Sequence, residues 1–229
     1  MKKIDLFLKR TFDILVSSIA LVTLTVFPVM LIIPLLIKLT DKGPAFYKQI
    51  RIGKDQKPFV LYKFRTMIVA RCDADGNEIM SEKRVTKIGK FLRKTSLDEL
   101  PQLFNILNGS MSVVGPRPML DYQAPRCTAE EKQRFAVRPG LTGLAQVQGR
   151  NNILWEERIK YDIEYINKFT FLFDLVLIFK TVLLVFRKEG TDIKVEYRGV
   201  DRFSKHYVPE KAEEAEESAK FTEVGKGIV

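Results

Sequence analysis

Residues 14–37 read ILVSSIALVTLTVFPVMLIIPLLI, a run of 24 residues without a charge. Roughly 20 apolar residues cross a bilayer as a helix. The run is longer than the apolar core of a cleaved signal peptide, and no small-residue cleavage site follows it, so it reads as a retained membrane segment. Lys2, Lys3, Lys9 and Arg10 precede it, and Lys38, Lys42, Lys48, Arg51 and Lys54 follow it. Positive charge favours the cytoplasmic side, and here it marks both ends. Pro28 lies in the middle of the run and Pro34 follows. Proline removes a backbone donor and kinks a helix. These features predict a re-entrant helix that enters and leaves by the cytoplasmic face. A plain spanning helix, its prolines compensated by neighbouring groups, is the alternative.

The rest of the chain suits such a position. Its 229 residues are 46% hydrophobic and 29% charged, enough for one domain with a core and not for disorder throughout. The net charge is +10, and residues 209–229 hold six Glu against three Lys, so the body carries about +13. A basic body fits nucleic acid, anionic lipid or a phosphate-rich substrate, and composition does not choose among them. Cys72 and Cys127 lie 55 positions apart and His206 is the one histidine, which argues against a disulfide framework and a zinc site. The common glycine-rich phosphate loops are absent.

Along the chain, Ala45–Ile50 and Pro58–Phe64 read as short strands. Arg71–Lys83 reads as a loop, Val85–Arg93 and Glu99–Asn108 as short helices, and Val113–Pro118 as a proline-bounded loop. Thr128–Arg134 is expected to be helical, Val137–Arg150 an irregular glycine-rich loop, and Asn151–Lys168 a helix. The apolar stretch at 171–186, interrupted by Asp174, Lys180 and Thr181, reads as a helix in the membrane interface or a buried core helix. The domain reading is therefore a membrane helix at 1–40, a body at 41–208 that includes the helix near 171–186, and an acidic tail at 209–229.

Asp98-Glu99 stands out, between Lys94 and Pro101. A helix cap accounts for Asp98, with Pro101 then in the first turn where its missing N–H costs no bond. The same placement also suits chemistry. A carboxylate beside Arg93 and Lys94 is able to attack phosphorus, and a neighbouring carboxylate is able to hold Mg²⁺ with substrate phosphates. Gly115-Pro116-Arg117-Pro118 fixes an arginine between two prolines, which suits bidentate phosphate contact. The glycine-rich run from Val137 is closed by Arg138 and Arg150 and brings backbone N–H groups within reach of a ligand. Asp73-Ala74-Asp75 matches a short metal-binding pattern of nucleotide-sugar enzymes, but its turn context favours a plain loop, and Glu78 stands where a calcium loop needs glycine.

Tyr62-Lys63-Phe64-Arg65-Thr66-Met67, Ser96-Leu97-Asp98-Glu99-Leu100-Pro101-Gln102, Gly115-Pro116-Arg117-Pro118, Arg138-Pro139-Gly140-Leu141-Thr142-Gly143, and Trp155-Glu156 with Tyr161-Asp162 occur in that order. The ordered set resembles the bacterial sugar transferases, the monotopic polyprenyl-phosphate phosphoglycosyl transferases in their small form, from about Lys9 to Arg187. The resemblance implies an α/β, mostly helical fold, with one re-entrant membrane helix and interfacial amphipathic helices around a small core, at the cytoplasmic face of the bacterial inner membrane. It implies Asp98 as nucleophile on a UDP-sugar with release of UMP, and polyprenyl phosphate as acceptor. It implies help from Glu99 and Mg²⁺, with Asp98 and Glu99 as the metal ligands. Lys63, Arg93 and Arg117 match phosphate-site cations, and Arg138 and Arg150 match positions near the nucleotide or sugar. The expected partners are the UDP-sugar, the carrier lipid and the bilayer, with no nucleic acid, and a homo-oligomer is open. Phe27-Pro28 stands where the family commonly has Ser-Pro, and the stretch from Asp13 to Pro28 is slightly long for the family. Two rival readings remain: a metal-dependent glycosyltransferase using Asp73 and Asp75 and releasing UDP, and a basic membrane adaptor without activity.

Overall fold

A residue before proline is pushed out of the α region, and the break in the N-terminal helix falls at that point. In a computed structural model that describes residues 2–40, 43–69, 83–149, 153–187 and 202–203, helix α1 spans Lys3–Val26 and helix α2 spans Val29–Thr40. Phe27 between them is extended, at φ −87° and ψ 96°, and the two helices meet at a bend of 62°. Pro34 is accommodated inside α2. Among the described residues no single helix is long and apolar enough to cross a membrane, but α1 and α2 taken together are, by length and composition.

The amphipathicity of α1 is inverted. Lys9, Asp13 and Ser17, spaced four apart and so on one helical face, are buried, while Ile4, Ile19, Val22 and Val26 are each at least 64% exposed. Lys9 Nζ donates to the carbonyl of Val114 at 2.7 Å and pairs with Asp174 at 2.5 Å. Asp13 Oδ1 accepts from the backbone N–H of Val113 at 2.9 Å and from Ser112 Oγ at 3.1 Å. The polar stripe thus joins α1 to the interior, and the apolar side is left outside.

Strands β1 (Phe46–Ile52) and β2 (Pro58–Phe64) form an antiparallel hairpin, with Phe46 opposite Phe64 and Ile52 opposite Pro58. β1 runs two residues beyond the expected Ile50 because Arg51 and Ile52 also pair with β4 (Met119–Leu120). β2 is therefore an edge, and the side chain of Asn105 covers it, accepting from Tyr62 N at 3.1 Å and donating to Val60 O at 2.7 Å. Asn105 lies on α4 (Gln102–Leu107), which is shorter than the expected Glu99–Asn108. Before it, α3 (Lys87–Thr95) is capped by Thr86, whose hydroxyl accepts from Gly89 N at 2.9 Å, and Leu97–Glu99 is a 3₁₀ turn.

Two expected loops contain regular structure. β3 (Ser112–Val114) occupies the start of the first, and β5 (Gly140–Thr142) and helix α5 (Leu144–Gln148) occupy the second. β3 and β5 pair in parallel, and a Cβ on Gly140 would fall 2.1 Å from Gly115 N, so glycine permits the approach. The segment expected to be helical at 128–134 is a 3₁₀ helix at Glu131–Ala136. α6 (Trp155–Asn167) and α7 (Phe171–Arg187) close the order, with Arg134 and Asp162 paired at 2.5 Å in the core beneath α6. α7 presents Leu172, Val176 and Phe179 outward and buries Asp174 and Leu177, so it is neither a core helix nor an ordinary surface helix. The loop at 71–83, apart from Lys83, and the tail at 209–229 lie outside the described residues.

Candidate active site

Four segments converge on one cavity of about 1520 Å³. β2 delivers Lys63 at its end, and the chain beyond it delivers Thr66. α3 packs so closely on Thr66 that a Cβ on Gly89 would lie 2.0 Å from the Thr66 carbonyl oxygen. That contact brings the last turn of α3 alongside, and Arg93 Nε donates to Thr66 Oγ1 at 2.9 Å. Ser96, at φ 58°, ends the helix in the left-handed region and turns the chain so that Asp98 and Glu99 enter the cavity wall. The proline-bounded loop supplies Arg117.

The two carboxylates have different surroundings. Glu99 Oε1 accepts from Lys63 Nζ at 2.6 Å and from Arg117 Nη2 at 3.4 Å. Burial pushes the Glu99 carboxyl up, but Arg117 and Lys63 outweigh it and hold the group at about 2. Burial also dominates at Asp98, and there it prevails: the carboxyl is raised despite Lys63 and, more weakly, Arg93 and Arg117. Adjacent carboxylates driven apart in this way are suited to different roles.

The expectation that Asp98 caps a helix is not met. Asp98 lies inside the 3₁₀ turn, whose N-cap is Ser96, and α4 starts at Gln102 behind Pro101 with no side-chain capping bond. The first donors of α4 are met by the preceding turn, Leu103 N by the Leu100 carbonyl at 3.0 Å and Phe104 N by the Pro101 carbonyl at 3.2 Å, which removes the need for a carboxylate there. Asp98 is left in the cavity wall without that structural task.

Lys63, Arg93, Arg117, Asp98 and Glu99 thus meet around one space. Arg138 does not join them. Its Nε donates to the Gly109 carbonyl at 2.7 Å, holding a turn where Gly109 is at φ 83°. Arg150, Asp73 and Asp75 lie outside the described residues. The structure adds residues the sequence reading did not single out. Arg51 also lines the cavity, donating to the Pro118 carbonyl at 3.0 Å and to Gln49 Oε1 at 2.8 Å. Burial, then the charge of Arg117, lowers its guanidinium to about 10. Gln146 of α5 lines the wall with both amide atoms buried and unpartnered. The alternation of β1 was the available signal for Arg51; nothing local marked Gln146.

Among the described residues, eight Lys and Arg line the cavity against two carboxylates. Such an excess of cations, several half-buried, is costly unless an anion enters. Two carboxylates also fit Mg²⁺ in its usual form, where one or two protein carboxylates share the ion with substrate phosphates. Asp98 and the second oxygen of Glu99 would hold it, since Oε1 already carries the contacts to both cations. Among the described residues no group of three or more acidic, histidine or cysteine side chains forms a self-sufficient metal site.

A cationic cavity around paired carboxylates is suited to hold an anionic group beside a nucleophile. The sequence pattern of the family described as bacterial sugar transferase matches residues 4–188, and the chain belongs to that family and is an enzyme. It is 43% identical over 183 residues to an uncharacterized sugar transferase, EpsL, of Bacillus subtilis (strain 168), covering 80% of this chain and 89% of that one. It is 45% identical over 192 residues to the UDP-glucose:undecaprenyl-phosphate glucose-1-phosphate transferase of Klebsiella pneumoniae, covering 78% of this chain and 40% of the relative. Identity to the undecaprenyl-phosphate galactose phosphotransferase of Salmonella typhimurium (strain LT2) is 39% over 206 residues, 82% of this chain and 42% of the relative. The chain thus spans about two fifths of the length of the latter two. The resemblance read from the ordered motifs is borne out.

Proposed function

We propose that this enzyme is a phosphoglycosyl transferase that moves a phosphosugar from a UDP-sugar to polyprenyl phosphate, yielding polyprenyl-diphosphate-sugar and UMP. The observation that carries the reading is Asp98, a carboxylate in the wall of a cationic cavity, relieved of capping and facing Lys63, Arg93 and Arg117. Two relatives named for transfer of a sugar phosphate to an undecaprenyl phosphate carrier support the reaction class.

In the first half-reaction an Asp98 carboxylate oxygen bonds to the β-phosphorus, and the bond from that phosphorus to the bridging oxygen breaks, releasing UMP. In the second, a phosphate oxygen of the carrier bonds to the same phosphorus and the acyl phosphate bond breaks, restoring Asp98. A carboxylate whose charge is raised in energy by burial is the more reactive nucleophile in its ionised form, and the nearby cations oppose its protonation and neutralise charge on the moving phosphoryl group. Glu99 holds Lys63 and Arg117 in position. Bound Mg²⁺ would neutralise diphosphate charge.

The carrier's tail lies in a bilayer and the UDP-sugar in water, so the site belongs at their boundary. The outward apolar sides of α1, α2 and α7 support that placement, since monomeric soluble proteins rarely expose such continuous apolar surface. We place the chain on the cytoplasmic face of the bacterial inner membrane, with α1 and α2 as a re-entrant pair.

Asp98→Asn tests the chemistry. The protein, mixed with Mg²⁺, undecaprenyl phosphate and a panel of UDP-sugars, is expected to remain folded and to release no UMP. Release of UMP at the wild-type rate sinks the covalent route, and release of UDP by the wild type replaces the reading with simple glycosyl transfer.

A further inference from the structure

The cavity has one wall that the chemistry above leaves unused. Ile178, Thr181, Val182 and Val185 of α7 line it. Their spacing of i, i+3, i+4 and i+7 places them on one helical face. Thr181 does not make that face polar, because its hydroxyl donates to the Leu177 carbonyl at 2.7 Å and shares a hydrogen bond of 2.7 Å with Thr142. A second stripe of the same helix, with Leu172 at 72% and Phe179 at 64% exposed, faces outward. One helix therefore carries an apolar face inside the site and another outside it.

The volume points to two ligands. A cavity of about 1520 Å³ exceeds the roughly 300–1,000 Å³ that usually holds one small molecule. Its chemistry is divided as well, with Lys63, Arg93 and Arg117 on the carboxylate side and the aliphatic stripe on α7. A nucleotide-sugar is polar at its sugar, ribose and diphosphate, and its base offers one flat face for stacking, a poor match for a stripe that runs two turns along a helix. A lipid phosphate matches both parts, with its head on the cations and its tail on the stripe. We infer that the Ile178–Val185 stripe of α7 receives the first isoprene units of the carrier lipid and leads the tail from the catalytic carboxylates to the outward face of the same helix. The inference rests on the proposed acceptor.

Val182→Asn makes the stripe polar at a position that is 47% exposed and so tolerates the change. The assay is run in detergent micelles, so that recruitment to a bilayer does not enter. The donor used is the UDP-sugar that the wild type turns over in the panel above. UMP released in the absence of carrier reports the donor half-reaction, and it is expected to stay within twofold of wild type. The KM for undecaprenyl phosphate is expected to rise about tenfold, equivalent to losing roughly 55 Å² of apolar contact at about 25 cal/mol per Å². Geranyl phosphate, a water-soluble carrier of two isoprene units, is expected to show the same rise. An unchanged acceptor KM overturns the inference. So does a loss confined to the donor half-reaction, which assigns the wall to the nucleotide-sugar, or a loss confined to the long carrier, which assigns it to micelle partitioning. If Val182→Asn fails to fold, Val185→Asn, at 38% exposure, decides by the same criteria. Failure of the proposed function is separate: wild-type protein that releases no UMP from any UDP-sugar removes the reaction itself.

Discussion

Replacing Glu99 by glutamine keeps the shape of the side chain and removes its charge, leaving Lys63 and Arg117 facing each other across the gap. The wild-type carboxyl is held at about 2, against an ordinary value of 4.5. At roughly 1.4 kcal/mol per pH unit this corresponds to about 3 kcal/mol of stability at neutral pH. The sign follows from linkage. A carboxyl with a depressed folded-state pKa contributes fully above the unfolded value, so the contribution is complete above pH 4.5, falls to less than half at pH 3 and is lost below pH 2. For a chain of this size 3 kcal/mol is roughly 6–12 °C in Tm. Thermal and urea unfolding of wild type and Glu99→Gln in micelles, at pH 7 and pH 3, measures both numbers. A gap of that size at pH 7 that narrows at pH 3 is expected. A gap below about 1 kcal/mol at pH 7, or one equal at both pH values, refutes the claim that the two cations depend on Glu99.

Arg117→Ala removes a cation from the transferred phosphate and is expected to slow turnover by roughly 10²–10³, as loss of one charge-stabilising donor does elsewhere; a rate near wild type counts against its assignment. Lys9→Ala strands Asp174 in the interior and is expected to cost about 3–5 kcal/mol, read by urea unfolding, because a buried charge loses its partner. Labelling of single cysteines introduced at Lys2 and at Thr40 in intact vesicles is expected to proceed from the same side; labelling from opposite sides contradicts the re-entrant placement of α1 and α2. Asp98→Asn, besides losing UMP release, is expected to unfold at a higher temperature than wild type, since a raised carboxyl pKa means that its charge costs stability at neutral pH.

How much of this was legible depended on whether the signal was local. The hairpin of β1 and β2 and the helix α6 follow from patterns within a dozen residues, and the break at Phe27 follows from the proline beside it. Asp98, Glu99, Lys63, Arg93 and Arg117 were readable as a set through ordered motifs, although their convergence was not. The parallel pairing of β3 with β5 was hidden because its partners are nearly 30 residues apart and each is three residues long. The glycines at 140 and 143 looked like loop residues for the same reason: what they accommodate is the backbone of Gly115, which no window around them contains. Asp98 next to a helix start invited the capping explanation, and only the left-handed Ser96 and the 3₁₀ turn show that the helix begins elsewhere. The cavity face of α7 was out of reach, since an apolar helix carries no mark of which side looks inward.

The stripe of Lys9, Asp13 and Ser17 makes α1 a helix with a phase. Its outward positions ask only for an apolar side chain, so that surface is free to drift through many substitutions. Its length is a different matter. One residue inserted between Asp13 and Ser17 turns everything beyond it by about 100°, parting Ser17 from the face it shares with Asp13 and carrying it toward the apolar side. α1 therefore forgives changes of letter and is intolerant of changes of count.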